Sequence, residues 1–329
     1  MSHYLSIIQS INQAPMLLSR HEINDSQWNN FVEESPQGCI YHYTWYLDIV
    51  CPNWSAIIVE NKEHWKAVMP LPISQKMGIH YALQPQFTQH LGILFRPQKG
   101  KQLTQWNNKK RWCEAVVQQI PKSIKLFKFT FAPQFDYPLP FHWAAYQLEV
   151  KYTYWLSLEP TVKQLIEGTH NSVRRLVQKA KKEEYVLSTS ETIADLIEFS
   201  KVQKKFLTDK QYENLFKLWE VVKQEDRGIV LKVYNKIGEL QAGSLILKNH
   251  TSWIYLFAVS LNDKGKVNAS SFMLSEAIQM AKKAGVAYFD FEGSMIPGVE
   301  RFFRNFGGNP VPYLFISKNT LPRPLKWLK

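Results

Sequence analysis

VAYFDFEGSMIPGVERFFRNFGG, residues 286–308, joins a strand, a glycine turn and a short helix in one run. Side chains alternate along a strand, so Phe289 and Phe291 fall on one side and Tyr288, Asp290 and Glu292 on the other. Gly293 ends the strand. A short helical segment follows, with Val299, Phe302, Phe303 and Phe306 beside Arg301 and Arg304. Gly307 and Gly308 stop it, as glycine does just past a helix. A strand that delivers two carboxylates to a glycine turn, backed by an aromatic and basic helix, makes one wall of a pocket. The plain alternative is that Asp290 and Glu292 cap the turn and pair with Arg301 or Arg304.

Working back from this stretch, the spacing predicts a helix over 270–284 that ends at Gly285, after a polar loop, NDKGKVNAS, at 262–270. Three strands precede the loop in meander order: GIVLKVYN (228–235), LQAGSLILK (240–248) and SWIYLFAVSL (252–261). Two helices are predicted before them, at 192–208 and 211–225. HNSVRRLVQKAKKEE (170–184) carries an apolar stripe of Val173, Leu176, Val177 and Ala180, with Arg174, Arg175, Lys179 and Lys182 elsewhere on the same helix. VPYLFIS (311–317) reads as the last strand.

The first half repeats this order weakly. WSAIIVE (54–60), KAVMPLPISQK (66–76) and HLGILF (90–95) read as strands, 80–89 as a loop, 103–120 as a helix and KLFKFTF (125–131) as a strand. WAAYQLEV (143–150) and TYWLSL (153–158) read as separate strands across the midpoint. The expectation is an α+β chain of two tandem domains, 1–152 and 153–329. Each is a mostly antiparallel mixed sheet flanked by helices, with a cleft between the copies.

Composition narrows the function. Forty Lys+Arg against 28 Asp+Glu give a net charge of +12, which favours anionic partners. No apolar run approaches the roughly 20 residues that span a bilayer, so no transmembrane segment is expected. The N-terminus lacks a basic start and reads poorly as an export signal, which makes the cytoplasm the expected location. Cys39, Cys51 and Cys113 lack paired spacing and read as reduced thiols, and the scattered histidines predict no metal site. There is no G-x-S-x-G, and Cys113 has no recognisable His partner, which argues against nucleophilic catalysis.

Three stretches of the second half resemble the Fem family of peptidoglycan aminoacyltransferases and its acetyltransferase-like relatives, within the N-acyltransferase (GNAT) fold. They are HNSVRRLVQKAKKEEY (170–185), NASSFMLSEAIQMAKKAG (268–285) and YFDFEGSMIPGVERFFRNFGG (288–308). The family shows R-x-x-I-x-K-A-x-K-x-G, then Y-D-F-x-G, then F-K-x-x-F-G. The match covers most of residues 150–317, and the first half matches by topology alone. The family lysine of F-K-x-x-F-G falls at Phe303 here.

The resemblance implies direct attack of an amine on an activated acyl carbon, which needs an anion cradle, a polarised carbonyl and a proton acceptor. It implies a cofactor cradle at Lys264, Gly265, Lys266, Asn268, Ser270 and Ser271, where a helix start offers N–H groups to phosphate. Asp290 and Glu292 are the candidate proton acceptors. Arg174, Arg175, Lys179, Arg301 and Arg304 are candidate anion contacts, and Tyr255 and Tyr288 candidate pocket walls. For each there is a structural reading: a capped loop, an ion pair, a solvated helix face and core aromatics.

The expected function is an N-acyltransferase that moves an acyl group from coenzyme A to an amine, in cell-envelope or small-molecule metabolism. The partners implied are an anionic, phosphorylated donor and an amine acceptor. An aminoacyl-tRNA donor is the first alternative, with the positive charge supplying phosphate contacts. A non-catalytic protein that keeps the fold and binds tRNA or an anionic precursor is the second. Phe272 and Phe303 separate enzyme from binder, since either side chain can fill the channel that catalysis needs.

Overall fold

The structure is a computed structural model, described over residues 14–203, 207–261, 269–293 and 295–322. It divides into two units. The first holds the described residues up to Lys151 and from Pro312 onward, and the second runs from Tyr152 to Val311.

The first unit contains β1 (Met16–Ser19), α1 (Asp25–Glu34), α2 (Thr44–Val50), β2 (Ser55–Asn61), β3 (His64–Leu71), β4 (Ile73–Lys76), β5 (Ile79–Leu83), β6 (Leu94–Phe95), α3 (Gln102–Gln119), β7 (Ile124–Thr130) and α4 (Leu139–Trp143). Strands β1-β2-β3-β6 form one antiparallel sheet. Strands β4 and β5 pair antiparallel, and β5 and β7 pair parallel. A parallel pair needs a long crossover, which here includes α3. Asn24 starts α1 by accepting from Gln27 N, and the helix buries Trp28, Phe31 and Val32. The Trp28 indole is fully buried and donates to His42 O at 2.7 Å, which satisfies its one polar atom.

Three first-half expectations change. Residues 66–76 are two strands, broken at Pro72, which supplies no N–H to a ladder, and the two pieces join different sheets. Residues 79–83, which overlap the start of the loop expected at 80–89, are strand β5. Within 90–95 only Leu94–Phe95 form a strand, with Leu91 bridging Phe131.

The second unit takes up the chain within β8 (Gln147–Ser157). It continues through α5 (Val162–Gly168), α6 (Asn171–Lys182), β9 (Val186–Ser190), α7 (Ala194–Gln203), α8 (Asp209–Gln224), β10 (Gly228–Tyr234), β11 (Leu240–Lys248), β12 (Ser252–Ser260), α9 (Ala269–Lys283), β13 (Tyr288–Asp290) and α10 (Pro297–Asn305). β14 (Asn309–Asn319) follows, and its residues 315–319 pair antiparallel with β7 in the first unit. The two strands expected at 143–150 and 153–158 are one, β8, preceded by α4.

In the second unit the order is β8-β13-β12-β11-β10-β9. All pairs are antiparallel except β12 with β13, whose crossover is α9. Helices α6 and α9 cover one face. There Val173, Val177, Phe272, Met273, Ala277 and Ile278 pack with Leu231, Val233, Phe289 and Phe291. Lys232 alternates with Leu231 and Val233, so it projects from the opposite face, where it bonds Ser190 Oγ at 2.7 Å and the Asp195 carboxylate of α7. Thr161 and Thr208 each make a capping box, with Gln164 and Gln211.

Candidate functional site

Strand β13 is shorter than the sequence pattern suggests. It pairs with β12 over Ser252–Ile254 and with β8 over Trp155–Ser157, then stops at Asp290. β12 runs on to Ser260, still paired to β11, with one extra residue bulged between its partners for Leu245 and Ile246. The sheet therefore loses the β13 neighbour midway along β12, beside the crossover helix α9. Glu292 and Gly293 follow with φ of 58° and 49°, which turns the chain sharply toward α10.

Asp290 sits at this ending and is 4% exposed. Its Oδ1 accepts from Thr153 Oγ1 at 2.8 Å and from Glu292 N at 2.8 Å. The Trp155 indole, directly across the strand pair, adds a weaker attraction short of hydrogen-bond geometry. Burial disfavours the carboxylate and outweighs these donors, so its pKa is pushed up to about 6. Above that pH Asp290 is an anion with a proton-accepting Oδ2 that takes neither bond. Tyr288 shares the strand face and stacks on Trp155, with ring centroids 4.3 Å apart.

The opposite face carries the aromatic residues. Phe303 of α10 stacks on Phe291 at 5.0 Å and meets Tyr255 edge-on at 6.4 Å. Phe303 and Phe272 are both buried in the core beside α9. Tyr255 is enclosed, and burial raises its phenol pKa. Ser270 and Ser271 lie in the first turn of α9, Ser270 half-buried and Ser271 buried. Lys264, Gly265, Lys266 and Asn268 fall outside the described residues.

The expected anion contacts are spread over helix surfaces. Arg174 is half-buried and donates to Asn171 Oδ1, Arg175 is exposed, and Lys179 pairs with Glu183 at 3.8 Å. Arg301 is exposed, and Arg304 pairs with Glu300 at 2.9 Å. Glu300 also accepts from Tyr154 Oη at 3.2 Å, tying α10 to β8. So the arginine ion pair expected near Asp290 is made at Glu300, and Asp290 is held by neutral donors. Thr153 and Trp155 were missed from sequence. The alternation in TYWLSL put them on one side of a strand but did not say which strand would lie beside it.

No family model matches the chain, and no curated protein matches it. Solved structures do. FemX superposes with a TM-score of 0.68 at 14% identity, over 96% of this chain and 99% of that one. A tandem GNAT protein from the clavulanic acid biosynthesis pathway gives 0.59 at 11%, over 94% and 99%. L-PGS from Bacillus licheniformis gives 0.54 at 10%, over 92% and 93%. The chain has the FemX-like tandem GNAT fold, two GNAT-like domains in one α+β chain.

Proposed function

We propose that the protein is an N-acyltransferase that takes an acyl group from coenzyme A and passes it to an amine. The observation that carries this reading is the early end of β13 beside β12, with Asp290 buried at the ending and the first turn of α9 across the sheet from it. Likeness of fold to a tandem GNAT protein, whose structure is described as without AcCoA, supports this reading.

In the reaction, the neutral amine nitrogen attacks the thioester carbonyl carbon. The C–N bond forms, the C–S bond breaks, and coenzyme A leaves as a thiolate that takes up a proton. The amine's proton passes to the Asp290 carboxylate, which is ionised above about pH 6. The N–H groups at the start of α9, with Ser270, Ser271 and the preceding Lys264 and Lys266, would hold the pyrophosphate of coenzyme A. Tyr288 and Glu292 flank Asp290 on the acceptor side. Arg174, Arg175, Lys179, Arg301 and Arg304 offer charge to an anionic acceptor.

The cell-envelope acceptor and the aminoacyl-tRNA donor are weaker readings, because the lysine of the Fem motif is Phe303 and this side chain is buried against Phe291. The same observation favours one second reading, a binding protein that keeps the fold without turnover. Phe272 and Phe303 would then close the acyl channel from the α9 side.

The test incubates the full chain with acetyl-CoA and a panel of primary amines, and follows thiol release and product mass. Thermal shifts are read in parallel with acetyl-CoA, free coenzyme A and charged tRNA. Transfer that falls at least tenfold in Asp290→Asn supports the proposal. A shift with coenzyme A but no product selects the binding protein. A shift with charged tRNA alone selects the aminoacyl donor, and silence toward every donor rejects both enzyme readings.

A further inference from the structure

The first unit holds a cleft that the transfer chemistry does not use. It has a volume of about 270 Å³ and is lined by the ends of β2 and β3, the segment after β6, and the middle of α3. Four cations line it: Lys66, Arg96, Lys99 and Arg111. Glu60 is the one carboxylate on its wall. Arg96 is already committed, to Glu34 at 3.0 Å and to Trp65 O at 3.0 Å. Among the described residues, Lys66 and Lys99 make no ion pair. Arg111 is held in place by donating to Asn108 Oδ1, and Asn108 donates in turn to Gln98 Oε1 at 2.8 Å. Like charges gathered in a concave wall raise the local potential for anions well above that of the same charges spread over a convex surface.

Two acceptors share the wall. One is Glu60, and the other is the Asn61 side-chain oxygen, which is buried and has no hydrogen-bond partner among the described residues. A buried acceptor without a donor is costly, and turning the Asn61 amide toward a ligand N–H or O–H in the cleft would recover that cost. Trp112, buried on α3 and tilted against Phe95 at 6.0 Å, makes an apolar floor.

We infer that this cleft binds a phosphate ester whose alcohol part carries hydroxyl or amino donors. The phosphate lies against Lys66, Lys99 and Arg111. The donor groups of the alcohol face Asn61 and Glu60, and its carbon skeleton rests by Trp112. The chemistry belongs equally to a soluble polyol phosphate and to the headgroup of a phospholipid. The volume suits a single phosphate with a few carbons and is below the usual range for larger ligands.

The experiment titrates the full chain with glycerol 3-phosphate, glucose 6-phosphate and inorganic phosphate by calorimetry, and with sedimented vesicles containing phosphatidylglycerol. The variants are Lys66→Gln, Arg111→Gln and Asn61→Leu, with Lys122→Gln as a distant control. Saturable binding of an ester, weakened about tenfold or more by Lys66→Gln and Arg111→Gln and unchanged by Lys122→Gln, is the expected result. Asn61→Leu should weaken the esters and leave inorganic phosphate alone. Preference for vesicles with the same variant pattern keeps the site and assigns it to a lipid headgroup. Thermal unfolding of each variant shows whether it is folded, and Lys66→Arg, which keeps the charge, should retain binding. Absence of saturable binding, equal binding of inorganic phosphate and esters, or indifference to both charge-removing variants overturns the inference.

Discussion

Thr153 Oγ1 donates to Asp290 Oδ1 at 2.8 Å, joining neighbouring strands β8 and β13 across 137 residues of chain. Thr153 is fully buried, so its hydroxyl leaves water for this bond. Thr153→Val keeps the shape and removes the donor, leaving the carboxyl with the Glu292 N–H as its one well-formed bond. The expected cost is about 1–3 kcal/mol of stability, read from urea unfolding. The carboxyl pKa should also rise above about 6, because a donor that favours the anion is gone. A variant with unchanged unfolding and unchanged carboxyl titration would show that the bond contributes nothing.

Asp290 also predicts a pH dependence of defined sign. Its folded pKa is raised from 3.8 to about 6, so the folded state binds the proton more tightly than the unfolded state. The stability this confers is complete below pH 3.8 and is lost as pH rises through about 6. The loss is on the order of 3 kcal/mol. His42 and His90 act in the opposite sense. Burial lowers them from 6.5 to about 4 and about 3, so their contribution is present above 6.5 and lost as pH falls. From pH 6 down to pH 4, Asp290 therefore offsets only part of the stability that the two buried histidines lose. Asp290→Asn removes the first component, and its stability should rise relative to wild type as pH goes from 4 to 7. Parallel curves for the two proteins would refute the assignment.

Much of this arrangement was legible in the chain, and the limits have physical causes. The helix over 171–182 could be read because its apolar and basic residues repeat at helical spacing. The strands around Leu240–Lys248 and Ser252–Ser260 could be read because β-branched and aromatic residues fill them between turn signals. Strand β5 was hidden in a stretch where the Gln and Pro residues just beyond it read as a loop. β9, VLSTS, is polar and half exposed and lacked an apolar run. The partners of Asp290 were out of reach, since strand alternation fixes a face and leaves the neighbour open. The pairing of residues 315–319 with β7 depends likewise on contacts that local patterns do not encode.

Gly293 follows the carboxylate strand at φ 49°, and a Cβ there would overlap Thr153 Cα and the Tyr152 carbonyl. Both obstacles are backbone, so neither can swing aside. Gly285, which ends α9 at φ 78°, has nothing within 4 Å of its Cβ position. Gly285→Ala should cost about 1 kcal/mol, the strain of the left-handed backbone alone. Gly293→Ala should cost more, roughly 2–4 kcal/mol, and should disturb the Asp290 turn as well. Thermal unfolding of the pair checks the order, and equal melting temperatures would contradict it.

Phe303 stands where the Fem motif has lysine, and it is 6% exposed, stacked on Phe291 and edge-on to Tyr255. Truncation to alanine removes a ring from the second unit's core and should cost about 3–5 kcal/mol, while leucine, which refills part of the volume, should cost less. Lysine is the informative change. Its ammonium would start among Phe291, Tyr255 and Phe302, so it must turn outward or lose its proton. Phe303→Lys should therefore destabilise more than Phe303→Leu, and should not create transfer from charged tRNA. Urea unfolding together with a charged-tRNA transfer assay checks both parts. Lysine tolerated as well as leucine, with new aminoacyl transfer, would mean that this core accepts the motif residue and that the donor is set by this one position.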